Sequence, residues 1–209
     1  MAHTSSRSMA PTAAVFDFGK VLIDWNPRYL YGKVIAEPSE LDWFLDNVVT
    51  LDWHFEHDRG RSFADGIATL GAKFPQYADL IKMWDTHWVD TIGDEIDGMV
   101  GILGELKSRG VPLFGITNFS AEKFDDFERD YDWVHLFDDI VVSGREKLIK
   151  PDPAIFQLAL KRFGLEKGQA VFVDDILANT NAAENEGFIG HHFHGADALR
   201  SDLKKYGLL

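Results

Sequence analysis

The run AAVFDF, residues 13–18, is apolar without a break until it reaches Asp17, and Pro11 and Gly19 bound it. Continuous rather than alternating hydrophobicity marks a strand buried on both faces. Four further runs share this character: VPLFGIT at 111–117, DIVVSG at 139–144, AVFVDD at 170–175 and FIGHHF at 188–193. Helical patterns fill the intervals, over 99–109, 121–130, 153–163, 177–186 and 196–206. Alternating strands and helices predict an α/β fold, a central parallel sheet covered by helices on both faces.

One stretch breaks that rhythm. From about 27 to 97 no buried strand is evident, and amphipathic helical segments appear at 40–49, 62–73 and 77–88. Trp25, Trp43, Trp53, Trp84 and Trp88 fall in or beside it, which reads as the core of a small helical insertion, with one or two rings available to a pocket wall. The expected organisation is a disordered tail at 1–12, a core at 13–24 and 98–209, and a helical insertion at 25–97.

Composition narrows the function. With 209 residues, no cysteine and a formal charge of −13, disulfides, thiolate zinc sites and a cysteine nucleophile are excluded. Such acidity disfavours nucleic-acid and membrane-surface partners. The first ten residues lack the apolar segment of a secretory signal, and no apolar run reaches bilayer length, so a cytoplasmic location is expected.

Chemistry gathers at the ends of the strands. Asp17 follows the first, Thr117 and Asn118 end the second, and Asp174 with Asp175 close the fourth. In a parallel sheet these ends border one crevice. Three carboxylates meeting there resist ionising together unless a cation neutralises them, and hard oxygen donors favour magnesium. Thr117 and Asn118, ahead of a helix opening near Ser120, offer a hydroxyl, an amide and backbone N–H groups to an anion. Lys150 precedes Pro151, Asp152 and Pro153, a stiff turn into a helix that suits a lysine bridging an anion and an acid.

The segments VFDFGKVLID (15–24), GITNFS (115–120), KPDPAIF (150–156) and VFVDDILANTNAA (171–183) resemble, in order and spacing, the four motifs of the haloacid dehalogenase-like hydrolase superfamily. The insertion resembles its C1 cap, and the whole is similar to small bacterial sugar-phosphate phosphatases of the glucose-1-phosphate phosphatase type. The resemblance implies a Rossmann-like three-layer core and a magnesium-dependent phosphatase acting on a small phosphorylated metabolite. It further implies Asp17 as the nucleophile, with Lys150 steadying nucleophile and phosphate. Thr117, with the backbone at Asn118, would bind phosphate, and Asp17, the Gly19 carbonyl, Asp174 and Asp175 would hold the metal. Asn179 falls at an outer polar position.

One position departs from the pattern. Family phosphatases carry a second Asp two residues after the nucleophile as general acid and base, and here Gly19 stands there. Losing such a group costs about 10²–10⁴-fold in rate, so a preference for activated esters is expected. Two alternatives follow from the same gap. A 2-haloacid dehalogenase needs no acid at that position, but leaves the Asp174–Asp175 pair unexplained. A non-catalytic binding protein would keep the pocket without turnover. Outside the motifs, His191, His192 and His194 read as structural or surface residues, and His54 with His57 as a solvated helical face.

Overall fold

In the computed structural model, which describes residues 10–209, the first apolar run becomes β1 (Ala13–Phe16), every residue of it buried. Its side chains divide with the two-residue period of a strand. Ala14 and Phe16 join Leu113, Val171 and Val173 in one cluster, while Ala13 and Val15 join Phe114, Ile116 and Phe172 in another. A strand with two apolar faces needs cover on both, which a central position supplies.

From β1 the chain enters β2 (Ile23–Trp25) and then α1 (Pro27–Tyr31), α2 (Pro38–Asn47), α3 (Leu51–Asp58), α4 (Phe63–Lys73) and α5 (Ala78–Thr86). It returns through β3 (Ile92–Glu95), which pairs antiparallel with β2. Next come α6 (Met99–Ser108), β4 (Leu113–Thr117), α7 (Ala121–Asp130), β5 (Asp139–Val142) and the single turn α8 (Ser143–Glu146). α9 (Pro153–Phe163), β6 (Ala170–Asp174), α10 (Leu177–Glu186), β7 (Ile189–His192) and α11 (Ala196–Lys205) follow.

The main sheet has the order β5-β4-β1-β6-β7 and is parallel throughout. Phe16 pairs with Gly115 on one side and Val173 on the other, so β1, β4 and β6 finish nearly level. Ile155, Phe156 and Ala159 of α9 and Ala183 of α10 cover one face. Ile102, Leu103 and Leu106 of α6 with Leu199 and Leu203 of α11 cover the other. This is the expected three-layer α/β architecture. Local chemistry sets the helix starts: Ser120 Oγ accepts from Lys123 N–H at 3.1 Å at the head of α7. Asp152 accepts from Ala154 N–H at 2.9 Å at the head of α9, with Pro153 in its first turn.

Between β2 and β3 the helical segment holds a fully buried Trp84 at the centre of an aromatic group. Tyr31 lies parallel to its indole at a centroid distance of 6.1 Å, and Trp53, Trp25 and His54 surround it at 6.0, 6.4 and 5.2 Å. Trp43 is exposed. The β2–β3 ribbon, with only three and four residues, is too short to register as a buried run. Residues 1–9 of the expected tail lie outside the described residues. Pro11 is buried, and Thr12 donates its N–H to the Gln169 carbonyl at 2.7 Å. Among the described residues no helix is long and apolar enough to cross a membrane.

A close backbone approach holds the loop after β4. A Cβ added at Gly144 would sit 2.5 Å from Ala121 N and 2.9 Å from Phe119 O, both main-chain atoms that cannot swing aside. Gly144→Ala is expected to cost about 1–3 kcal/mol of stability in urea unfolding. Gly101, in α6, has open space around it. Gly101→Ala should instead stabilise by about 0.5–1 kcal/mol.

Candidate active site

Lys150 is buried at the carboxyl edge of the sheet, where its ammonium bridges two carboxylates. Its Nζ lies 2.8 Å from Asp17 Oδ1 and 2.7 Å from Asp174 Oδ2. Burial works against the ammonium, but the two acids outweigh it and hold its pKa above the ordinary lysine value. Asp174 is fully enclosed: it also accepts from Asn179 Nδ2 at 3.0 and 3.1 Å and from Ile176 N–H at 2.8 Å. Asn179 thus acts on the site through Asp174.

Asp17 is held differently. Phe18 N–H donates to its Oδ1 at 2.7 Å, the same oxygen that meets Lys150, which leaves Oδ2 for chemistry. Burial pushes the Asp17 carboxyl up to about 7 against the pull of Lys150, with Asp174 and Asp175 adding to the rise. One oxygen from each of Asp17, Asp174 and Asp175 lies within 4.8 Å of the other two. An all-carboxylate cluster beside a single lysine is the donor chemistry of a hard divalent cation, and magnesium fits it. The main-chain carbonyl of Asp175 lies 2.9 Å from His192 Nε2, which donates to it and steadies the loop. His191 meets Asp202 instead, at 3.1 Å, so the two histidines point to different partners as strand alternation requires.

Thr117 ends β4 with its Oγ1 buried and without a hydrogen-bond partner among the described residues. An unpaired buried hydroxyl is costly, and this one stands one residue before Asn118, which lines the cavity. Asn118 serves another purpose than its side chain suggested. Its Nδ2 donates to the Lys150 carbonyl at 3.1 Å and its Oδ1 accepts from Lys150 N–H at 2.8 Å, so the amide clamps the lysine loop to β4. What Asn118 can give an anion is confined to its main chain. Ser143, which no sequence signal singled out, accepts from Phe119 N–H at 2.9 Å and fixes the next residue of that loop.

Above these residues opens a cavity of about 610 Å³. Asp17, Gly19, Asn118, Lys150, Asp175 and Asn179 form its floor, with Ile149 and Ile176 at the side. The opposite wall comes from the helical segment: Trp25, Leu51, His54, Phe55, Asp58, Arg59 and Trp88. Thus Trp25 and Trp88 are the tryptophans that reach the pocket. His54 and His57 are buried, not solvated. Burial pushes them down to about 3 and about 4, so both are neutral at pH 7.

The raised Asp17 value has a consequence for stability. Its folded pKa of about 7 lies above the ordinary 3.8, so between those values the folded protein binds the extra proton and stability falls as pH rises. His54 and His57 work in the opposite sense, losing stability in acid. Comparing variants isolates Asp17. In metal-free protein, Asp17→Asn is expected to gain stability over wild type steadily from about pH 4 to pH 7, as read by urea unfolding in chelator. Parallel pH profiles would contradict the assignment.

The geometry agrees with what the chain resembles. The family profile described as "Haloacid dehalogenase-like hydrolase" matches residues 51–189. A sesquiterpene phosphatase, astK of Aspergillus oryzae, is 30% identical over 195 residues, covering 92% of this chain and 95% of that protein. Acyl-CoA dehydrogenase family member 10 of Mus musculus is 28% identical over 88% of this chain, which spans only 18% of that longer protein. Among solved structures, a HAD family enzyme from Bacteroides thetaiotaomicron in complex with magnesium and inorganic phosphate superimposes with a TM-score of 0.68 at 17% identity. It covers 89% of this chain and 96% of its own. With the profile spanning most of the chain and a full-length relative alongside it, the protein belongs to the haloacid dehalogenase-like hydrolases.

Proposed function

We propose that the protein is a magnesium-dependent phosphatase that hydrolyses a small phosphorylated metabolite in the cytoplasm through an aspartyl-phosphate on Asp17. The observation that carries this reading is the Asp17–Lys150–Asp174 arrangement. One oxygen of Asp17 is tied down, the residue lines the cavity, and a buried ammonium stands ready for the phosphate charge. Asp17, Asp175 and the Gly19 carbonyl would hold magnesium, with Asp174 beside them, and Thr117 Oγ1 with the Asn118 main chain would hold the phosphate. Magnesium held there would neutralise phosphate and carboxylate charge, which is most of what phosphoryl transfer asks of a protein. The paired Asp174 and Asp175 speak against dehalogenation, since two further acids repel a carboxylate substrate.

Residues 25–97 act in this reading as a C1 cap that closes over the phosphate and selects the alcohol. The walls of the cavity are mostly apolar, including Ile23, Trp25, Leu51, Phe55, Trp88 and Phe119. Sugar hydroxyls would lose water there with few partners in return. We therefore favour an apolar or aromatic alcohol portion over a sugar, a preference in keeping with the sesquiterpene phosphatase relative.

Phosphate release from a panel of phosphate monoesters tests this. Activity should require magnesium, favour farnesyl phosphate over glucose 1-phosphate, and fall by at least about 10³-fold in Asp17→Asn. Absence of magnesium-dependent release from every compound would defeat the reading. Magnesium should also raise the melting temperature of wild type, and this rise should shrink in Asp175→Ala. An unchanged rise would remove Asp175 from the ligand set.

A further inference from the structure

Gly19 leaves the second position after Asp17 without a proton donor, and a Cβ built there meets nothing within 4 Å. Across the cavity, α3 offers a carboxyl. Asp58 lines the same space as Asp17, Gly19 and Lys150, yet is only 1% exposed. Its Oδ2 lies 3.3 Å from His54 Nε2, while its Oδ1 is buried with no hydrogen-bond partner among the described residues. An idle oxygen on a buried carboxyl is expensive and calls for a function.

The surroundings decide which form Asp58 takes. Burial pushes its carboxyl well above the usual carboxylate range, the Asp17 charge adds to the rise, and Arg59 and Lys150 oppose it. His54 is no counter-cation. Packed between the rings of Trp25 and Trp84 at 4.8 and 5.2 Å, it is kept neutral by burial, with neighbouring His57 contributing. The imidazole Nε2 stands beside Oδ2, and Oδ1, with no partner among the described residues, is the oxygen left to carry the acid proton.

We propose that Asp58, reaching in from α3, is the general acid and base of this site and fills the role left vacant at Gly19. The proposal rests on the phosphatase reading. In the first step Asp17 Oδ2 bonds to phosphorus, the bond from phosphorus to the alcohol oxygen breaks, and that oxygen takes the proton from Asp58. In the second, Asp58 as carboxylate accepts a proton from water as the water oxygen bonds to phosphorus and the Asp17–phosphorus bond breaks. Alcohol and phosphate leave, and both acids return to their starting states. A working acid removes the expected restriction to activated esters.

Two aromatic esters of similar size separate the possibilities: 2-phenylethyl phosphate, whose alcohol is a poor leaving group, and 4-nitrophenyl phosphate, whose phenol is a good one. Wild type should hydrolyse both with magnesium. Asp58→Asn should lose about 10²–10⁴-fold in kcat on the phenylethyl ester. On the nitrophenyl ester it should release a burst of nitrophenol close to one per enzyme and then stall, because the first step needs no acid and the second still needs a base. Placing Gly19→Asp into the Asp58→Asn protein should restore part of the phenylethyl activity. Equal losses on both esters without a burst, or no loss, would overturn the proposal, as would wild type that accepts only the nitrophenyl ester. Wild type inactive on both esters and on the wider panel would instead defeat the phosphatase reading itself.

Discussion

The buried ammonium of Lys150, set between Asp17 and Asp174, is the constraint around which the edge of the sheet is organised. Two carboxylates in a water-excluded place repel each other, and a cation removed from water is costly alone. Together they are tolerable only with good geometry, and the neighbouring groups supply it. Asn118 pins the lysine backbone, Asn179 and Ile176 satisfy Asp174, and Phe18 N–H fixes one oxygen of Asp17. Each clamp comes from a different strand end, so the parallel order β4-β1-β6 is what lets the set exist.

That arrangement leaves a charge imbalance facing the cavity. Asp17 and Asp175 are both raised by burial, a state that a divalent cation would relieve. Thr117 Oγ1 is buried nearby with no partner among the described residues. A floor with spare acid charge and one fixed ammonium suits the metal–phosphate pair proposed above. In that proposal the apolar wall receives the part of the substrate that is not phosphate.

Much of this was legible in the sequence because it rests on continuous apolar runs that stop at polar residues. The strands ending at Asp17, Thr117 and Asp174, and the lysine ahead of Pro151, follow from local pattern and the level ends of a parallel sheet. The opposite wall did not. WHFEHDRG reads as a polar helical face, and only the packing of His54 on Trp25 and Trp84 and of His57 on Trp53 and Phe63, with the burial of Asp58, shows that all three turn inward. The Asn118 amide was equally ambiguous, since a side chain suited to an anion is equally suited to clamping a loop. Ser143 and Gly144 depend on how closely two loops approach, which no single stretch of sequence encodes.

Everything proposed for this site depends on Asp17 as carrier of the phosphoryl group. Acid quenching during turnover of a phosphate monoester, followed by proteolysis and mass spectrometry, tests it directly. One added phosphoryl group is expected on the peptide spanning residues 13–24, located at Asp17 and formed only with magnesium. Steady phosphate release with that peptide unmodified, or with the group on another residue, would contradict it.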